Sequence, residues 1–147
     1  MEKYYYGYNE FLEDTKVLIN KVKPYGADVL LGISRGGLTL SHFMGQALDN
    51  RNVFTLNSIH YNKTEKLDTF DIFNIPDLSK AKKVLILDDI IDTGETMVEI
   101  LKILNEKFPH VEFKLATLFY KKTALISPDF TVKEAPAWID FLWEVDI

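Results

Sequence analysis

The chain has 147 residues, 17 basic against 22 acidic, a formal charge of −5 and no cysteine. That length argues for one domain able to bury its own core. The lack of cysteine excludes a disulfide framework and thiolate metal sites, and fits a reducing, cytoplasmic setting. The acidic balance argues against a nucleic-acid partner, which wants a basic field. No apolar run approaches the ~20 residues of a membrane span, and Met1 to Tyr6 lacks the apolar segment of a signal peptide.

Four tyrosines fall in the first eight residues. Such a start suits an edge, an interface or an ordered surface tail. From Asn9 to Lys23, Phe11, Leu12, Leu18, Ile19 and Val22 recur at helical spacing, with Asn9 placed to cap and Pro24-Tyr25-Gly26 to stop the helix. Val29 to Ile33 is an apolar run of the kind buried in parallel sheets. Ser34-Arg35-Gly36-Gly37 is a loop, Leu38 to Leu48 a helix, and Val53 to Ile59 a strand. The mixed polar stretch that follows is expected as one long loop, taken as 61–80, of the length usually reserved for function. Val84 to Leu87 is another buried strand. Met97, Ile100, Leu101, Leu104 and Phe108 then mark one face of a helix. Phe113 to Phe119 and the short Phe130 to Val132 are further strands. Strands alternating with helices predict an α/β domain over 1–147, with a mostly parallel twisted sheet flanked by helices. Ligands of such sheets gather at the carboxyl ends of the strands.

Val84 to Thr96 carries the most chemistry. Two acids, Asp88 and Asp89, end a buried strand, and Asp92-Thr93-Gly94-Glu95-Thr96 opens a helix. Amides at a helix start are unpaired and sit at the positive end of its dipole. Gly94 lets the backbone come close to an anion, and the Thr93 and Thr96 hydroxyls can donate. That makes a phosphate cradle without a lysine. Asp88 and Asp89 are placed to hold sugar hydroxyls or a metal-bound sugar. The structural alternative is a plain helix cap, for which Asp and Thr are also favoured.

This stretch resembles the phosphoribosyl diphosphate motif of the type I phosphoribosyltransferase family: an apolar strand, two acids, two apolar residues and a Thr-Gly-x-Thr turn. Ile33-Ser34-Arg35-Gly36-Gly37-Leu38, Lys121, Trp138-Ile139 and Trp143-Glu144 extend the likeness over nearly the whole chain, toward the family's bacterial xanthine-guanine branch. The resemblance implies that fold, with residues 121–147 as a small C-terminal hood over a base site. It implies transfer of a phosphoribosyl group from phosphoribosyl diphosphate to N9 of a 6-oxopurine, with Mg²⁺ as cofactor and a homo-oligomer, dimer or tetramer, as the working form.

By the same resemblance Asp92 is catalytic at the purine N7. Asp88, Asp89, Asp92, Thr93, Gly94, Glu95 and Thr96 bind the ribose and its 5′-phosphate. Ser34, Arg35, Gly36 and Gly37 bind pyrophosphate, with a cis peptide near Ser34–Arg35. Lys121, Trp138 and Ile139 bind the base, and Asp89 and Glu144 contact the metal. The residue chemistry is compatible. Glycines expose amides, and a guanidinium matches phosphate oxygens. An ammonium, having donors only, selects a 6-oxo over a 6-amino purine. Other readings stand beside these: Lys121 as a solvated surface lysine, Trp138 as a core aromatic, and Ser34 to Gly37 as a flexible turn.

Three departures are legible. Glu95 fills the free position of the phosphate turn, where a carboxylate must point away from a bound anion. Glu144 stands where the branch has Asp. Ser58-Ile59-His60-Tyr61 replaces a Ser-Tyr pair, and the segment from Asn62 to Ser79 reads as a water-excluding cover. His42, His60 and His110 show no metal-ligand spacing. Two alternatives to an enzyme remain: a regulatory protein of the same fold that senses nucleotides or phosphoribosyl diphosphate, and a response-regulator receiver. The position of the acid pair, past residue 85 and before a phosphate turn, weighs against the receiver.

Overall fold

The computed structural model describes residues 2–61 and 69–147. Eight strands and three α-helices are present among them, with a 3-10 turn at Lys23–Tyr25: β1 (Lys3–Tyr6), α1 (Tyr8–Val22), β2 (Val29–Ser34), α2 (Leu38–Ala47), β3 (Val53–Tyr61), β4 (Thr69–Phe73), β5 (Lys83–Ile91), α3 (Glu95–Lys107), β6 (Glu112–Tyr120), β7 (Phe130–Glu134) and β8 (Trp138–Phe141). Six strands make the main sheet in the order β4-β3-β2-β5-β6-β7, and β1 pairs with β8 in a separate two-stranded sheet. Every pairing is parallel except β3 with β4.

Alternation along the central strands splits the core into two layers. Leu30, Leu85, Leu87 and Leu118 face Phe11, Leu18, Leu40 and Met44 of α1 and α2. Leu31, Val84, Ile86 and Leu115 face Met97, Ile100 and Leu104 of α3. A strand covered on both faces reads as an uninterrupted apolar run, which is why Val84 to Leu87 was legible. The chain leaves β2 for β3 on one side, while β5 lies on the other. The crevice between β2 and β5 is therefore a topological switch point, where open α/β sheets place their ligands.

The expected single domain and mostly parallel sheet are present. Four details differ. First, α1 starts at Tyr8 with Gly7 at its cap, not Asn9. The Phe11 amide bonds Gly7 O at 3.0 Å, so Asn9 already lies inside the first turn. Second, the 61–80 stretch is not one loop. Tyr61 ends β3, and β4 pairs back on β3 from Tyr61↔Thr69 to Asn57↔Phe73. Part of the proposed cover, 62–68, lies outside the described residues. Third, β5 runs on through Asp88 and Asp89 to Ile91, so the acids sit within the strand. Fourth, the tyrosine-rich start is a strand whose Tyr6 is fully buried. It is half of the C-terminal two-stranded sheet, whose β8 carries Trp138 and Ile139.

Candidate active site

The loop between β2 and α2 is shaped by its glycines. The Gly37 amide bonds Ile33 O at 2.8 Å, and Ser41 Oγ donates to Gly37 O at 2.7 Å. A Cβ at Gly37 would collide with the Leu87 carbonyl oxygen and crowd the Ile33 backbone. A Cβ at Gly36 would come within 2.6 Å of Asp89 Oδ2. Two bare glycines thus let this loop lie directly against the carboxyl end of β5. The Ser34–Arg35 peptide is cis, as the resemblance implied.

On the other side of the crevice, Gly94 caps α3 in the left-handed conformation, φ 85°, with no side-chain cap. This departs from a plain Asp or Thr cap, since the cap residue itself has no side chain. Thr93 Oγ1 accepts from the Glu95 amide at 3.3 Å, while Thr93 O accepts from the Leu125 amide at 2.8 Å. The second bond ties the segment after β6 to the turn.

Ser34, Gly36, Asp88, Asp89, Asp92, Thr93, Gly94 and Thr96 line one cavity of ≈ 250 Å³. A second, of ≈ 220 Å³, is lined by Asp89, Asp92, Lys121, Trp138, Ile139 and Glu144. The two share Asp89, Ile90 and Asp92. Twelve of the fifteen site residues singled out from the sequence therefore line one continuous crevice. Arg35, Gly37 and Glu95 do not line either cavity: Arg35 is exposed, Gly37 is buried beneath its loop, and Glu95 turns toward His60, Oε2 to Nε2 3.9 Å. The carboxylate of Glu95 is thereby aimed at an imidazole on β3, whose ring stacks on Phe70 at 4.5 Å.

Lys121 is not a free surface lysine. Its Nζ lies 2.6 Å from Asp92 Oδ1. Nor is Trp138 a core aromatic, because it is 51% exposed and presents its ring to the second cavity. Burial, the neighbouring Asp89 charge and their mutual contact push the Asp88 carboxyl well above its ordinary range. Burial also raises Asp89, against hydrogen bonds that include the Ile90 amide at 2.8 Å. Burial and the charges of Asp89 and Asp140 raise Glu144. Three carboxyls short of positive charge face a crevice whose other half is built of amides and hydroxyls. Such a site takes an anion at one end and a cation or a polarised ring at the other.

Ile33, Ser58, Ile90, Ile91, Met97, Ala137 and Phe141 also line the cavities, although the sequence did not assign them to the site. Ile90 was recoverable from its place between Asp89 and Asp92. Ser58 follows Asn57, which is in register with Ser34, but that neighbour relation exists only once β2 and β3 pair. His110 Nε2 donates to Ser79 O at 2.6 Å, away from the crevice.

Comparison with known proteins agrees with this geometry. The phosphoribosyl transferase domain matches residues 15–147. The fold is similar to the xanthine-guanine-hypoxanthine phosphoribosyltransferase of Helicobacter pylori, at 37% identity and TM-score 0.90, over 98% of this chain and 95% of that one. It is also similar to a purine phosphoribosyltransferase of Pyrococcus horikoshii, at 27% identity and TM-score 0.86, over 100% of this chain and 97% of that one. The xanthine-guanine phosphoribosyltransferase of Idiomarina loihiensis is 28% identical over 121 residues, 80% of this chain and 71% of that protein. With the Asp92 to Thr96 turn, a glycine loop and an acid pair meeting at one switch point, the chain belongs to the phosphoribosyl transferase domain family.

Proposed function

We propose that the protein is a purine-salvage enzyme that transfers the phosphoribosyl group of phosphoribosyl diphosphate to N9 of a 6-oxopurine and releases pyrophosphate. The carrying observation is the Lys121–Asp92 pair, 2.6 Å apart, in one cavity with the half-exposed Trp138. A 6-oxopurine presents O6 and N7 side by side on one edge. An ammonium that only donates suits O6, and a carboxylate that only accepts suits an N7–H. Adenine would set its amino group against another donor and draw Lys121 from Asp92 without a replacement acceptor. Trp138 supplies a face for the ring, worth about 1–3 kcal/mol on other base platforms.

In this reading the Thr93 to Thr96 turn holds the 5′-phosphate, Asp88 and Asp89 hold the ribose hydroxyls, and the Ser34 to Gly37 loop holds pyrophosphate. N9 attacks C1′ as the bond from C1′ to the pyrophosphate oxygen breaks, and that oxygen leaves with the electron pair. The N7 proton passes to Asp92. The sugar carbon gains positive character on the way, and the buried carboxylates beside it stabilise that charge.

Asp89 and Glu144 are the residues that would hold Mg²⁺. Their hard oxygen donors, raised by burial and crowding, fit such an ion. No cage of three or more acidic or histidine donors occurs among the described residues, which suits an ion held partly by substrate phosphates and water. When bound, Mg²⁺ neutralises charge on the departing pyrophosphate.

The test is pyrophosphate release by purified protein with phosphoribosyl diphosphate and Mg²⁺, run in parallel with xanthine, guanine, hypoxanthine and adenine. Release with one or more of the first three and not with adenine is expected. No release with any 6-oxopurine overturns the reading.

A further inference from the structure

The second cavity has two sides that the main sheet does not join. Lys121 directly follows β6, while Trp138 and Ile139 ride on β8, whose strand partner is β1. A chain of polar groups spans the gap. Lys133, on β7 and in register with Phe119 of β6, lies 2.8 Å from Glu10 Oε2 and 3.0 Å from Asp14 Oδ2 of α1. Tyr4 OH donates to the same Glu10 oxygen at 2.6 Å, and Tyr6 OH donates to the same Asp14 oxygen at 2.7 Å. Tyr4 and Tyr6 are the β1 partners of Ile139 and Phe141. The sequence of contacts is therefore β6, β7, Lys133, the two α1 carboxylates, the two β1 phenols, and β8.

We propose that this cluster is the positioning device of the base site: Lys133, Glu10, Asp14, Tyr4 and Tyr6 fix the separation between Trp138–Ile139 and Lys121–Asp92. The inference rests on the purine-transferase reading for its kinetic consequence, but the mechanical linkage does not. Hydrophobic packing alone sets this separation loosely. Tyr6 touches Phe11, Phe119 and Phe141 edge-on, contacts that tolerate sliding. Charge-assisted hydrogen bonds are short and directional, and they fix a distance. Asp14 is 7% exposed, so losing its cation leaves a buried carboxylate held by one phenol. None of the five side chains lines either cavity. They are positioning residues, acting through β8.

Lys133→Met keeps the stem and removes the charge, Lys133→Arg restores the charge, and Tyr4→Phe removes one hydroxyl and is the milder variant if Lys133→Met fails to fold. Two readouts are taken on each: steady-state KM for base and for phosphoribosyl diphosphate, and amide hydrogen exchange across 138–141 and across β2, β5 and β6. Lys133→Met is expected to raise base KM about tenfold, the scale of one charge-assisted bond. KM for phosphoribosyl diphosphate should stay within about twofold. Exchange should accelerate at 138–141 alone, with Lys133→Arg recovering most of both effects and Tyr4→Phe showing a smaller change in the same direction. Unchanged exchange at 138–141, acceleration spread evenly over the sheet, or KM values for both substrates rising together overturns the proposal. If the wild-type protein turns over no purine, the reading of the previous section fails by itself, and the exchange pattern then decides the linkage.

Discussion

Asp92 has two possible partners at once: the Lys121 ammonium 2.6 Å away and, in the proposed reaction, the purine N7 proton. Its exposed carboxylate is held in place by that pair and by the start of the phosphate turn, so changing it to an amide keeps shape and removes the proton acceptor. Asp92→Asn is expected to fold, to bind phosphoribosyl diphosphate and to lose about 10²–10⁴ in kcat, the scale of a lost general base. Near wild-type kcat would remove Asp92 from the chemistry. Lys121 poses the complementary question. If it reads O6, Lys121→Ala narrows the gap in kcat/KM between hypoxanthine and adenine, while KM for phosphoribosyl diphosphate moves little. An unaltered ranking of the bases would assign Lys121 to holding Asp92 and nothing more.

Among the elements, the loop after β2 depends most on the absence of side chains. Gly37 lies under the loop, where a Cβ meets the backbone of Leu87 and Ile33, and backbone cannot rotate away. Gly37→Ala should therefore destabilise the protein by about 1–3 kcal/mol, as overpacking does. It should also raise KM for phosphoribosyl diphosphate, measured by thermal unfolding and initial rates. A stable, kinetically normal variant would mean that the loop reaches the substrate by another path. The same elements explain what the sequence could and could not reveal. The glycine loop and the turn from Asp92 to Thr96 were legible because anion binding by backbone needs particular residues at fixed local spacing. The central strands were legible because burial on both faces leaves an unbroken apolar run. β1 was not, because Lys3 to Tyr6 has no apolar periodicity and gains its strand only from residues 138–141. β4 carried a signal that was missed: Phe70 and Ile72 alternate with Thr69, Asp71 and Phe73, and the first two are the half-buried ones. Glu95 illustrates a different limit. Its residue type predicted only that it must avoid an anion, whereas its turn toward His60 depends on β3 lying beside α3.

For the whole molecule, pH acts unequally on the two sides of neutrality. Burial works to raise Glu10 and Asp28, but hydrogen bonds outweigh it and hold both below their ordinary values: Lys133 and Tyr4 for Glu10, the Lys82 and Lys83 amides for Asp28. Their stability is present above about pH 4 and is lost as pH falls through the folded values. Asp88, Asp89 and Glu144 are raised, so their contribution has the opposite sign: it is present in acid and lost as pH rises through the folded values. The two sets act in opposite directions, the lowered pair below the ordinary carboxylate range and the raised trio above it. On the alkaline side nothing among the described residues offsets. The hydrogen bond to Glu10 raises Tyr4, burial and Asp14 raise Tyr6, and burial and Glu112 raise Tyr25. Bonds to Glu10 and Asp14 raise Lys133 in spite of burial. All four contribute stability that is full below about pH 10 and lost as pH climbs through their folded values. Urea midpoints should therefore hold or rise as pH is lowered from about 8 to 5, where Asp88, Asp89 and Glu144 take up protons, and should fall steeply above about pH 10, with Tyr6→Phe blunting that fall. A midpoint that is flat through pH 11 would show that these groups do not hold the fold.

The parallel pairing of β1 with β8 also orders events during synthesis. Tyr4 leaves the ribosome well over a hundred residues before its strand neighbour Ile139. The Asp92 to Thr96 turn and the glycine loop can come together while translation continues, because β2, β5 and α3 are all made before β8. In the proposed function, the surface that recognises the heterocycle cannot exist until β8 emerges, so the proposed sugar-phosphate half of the site is complete well before the half that chooses a base.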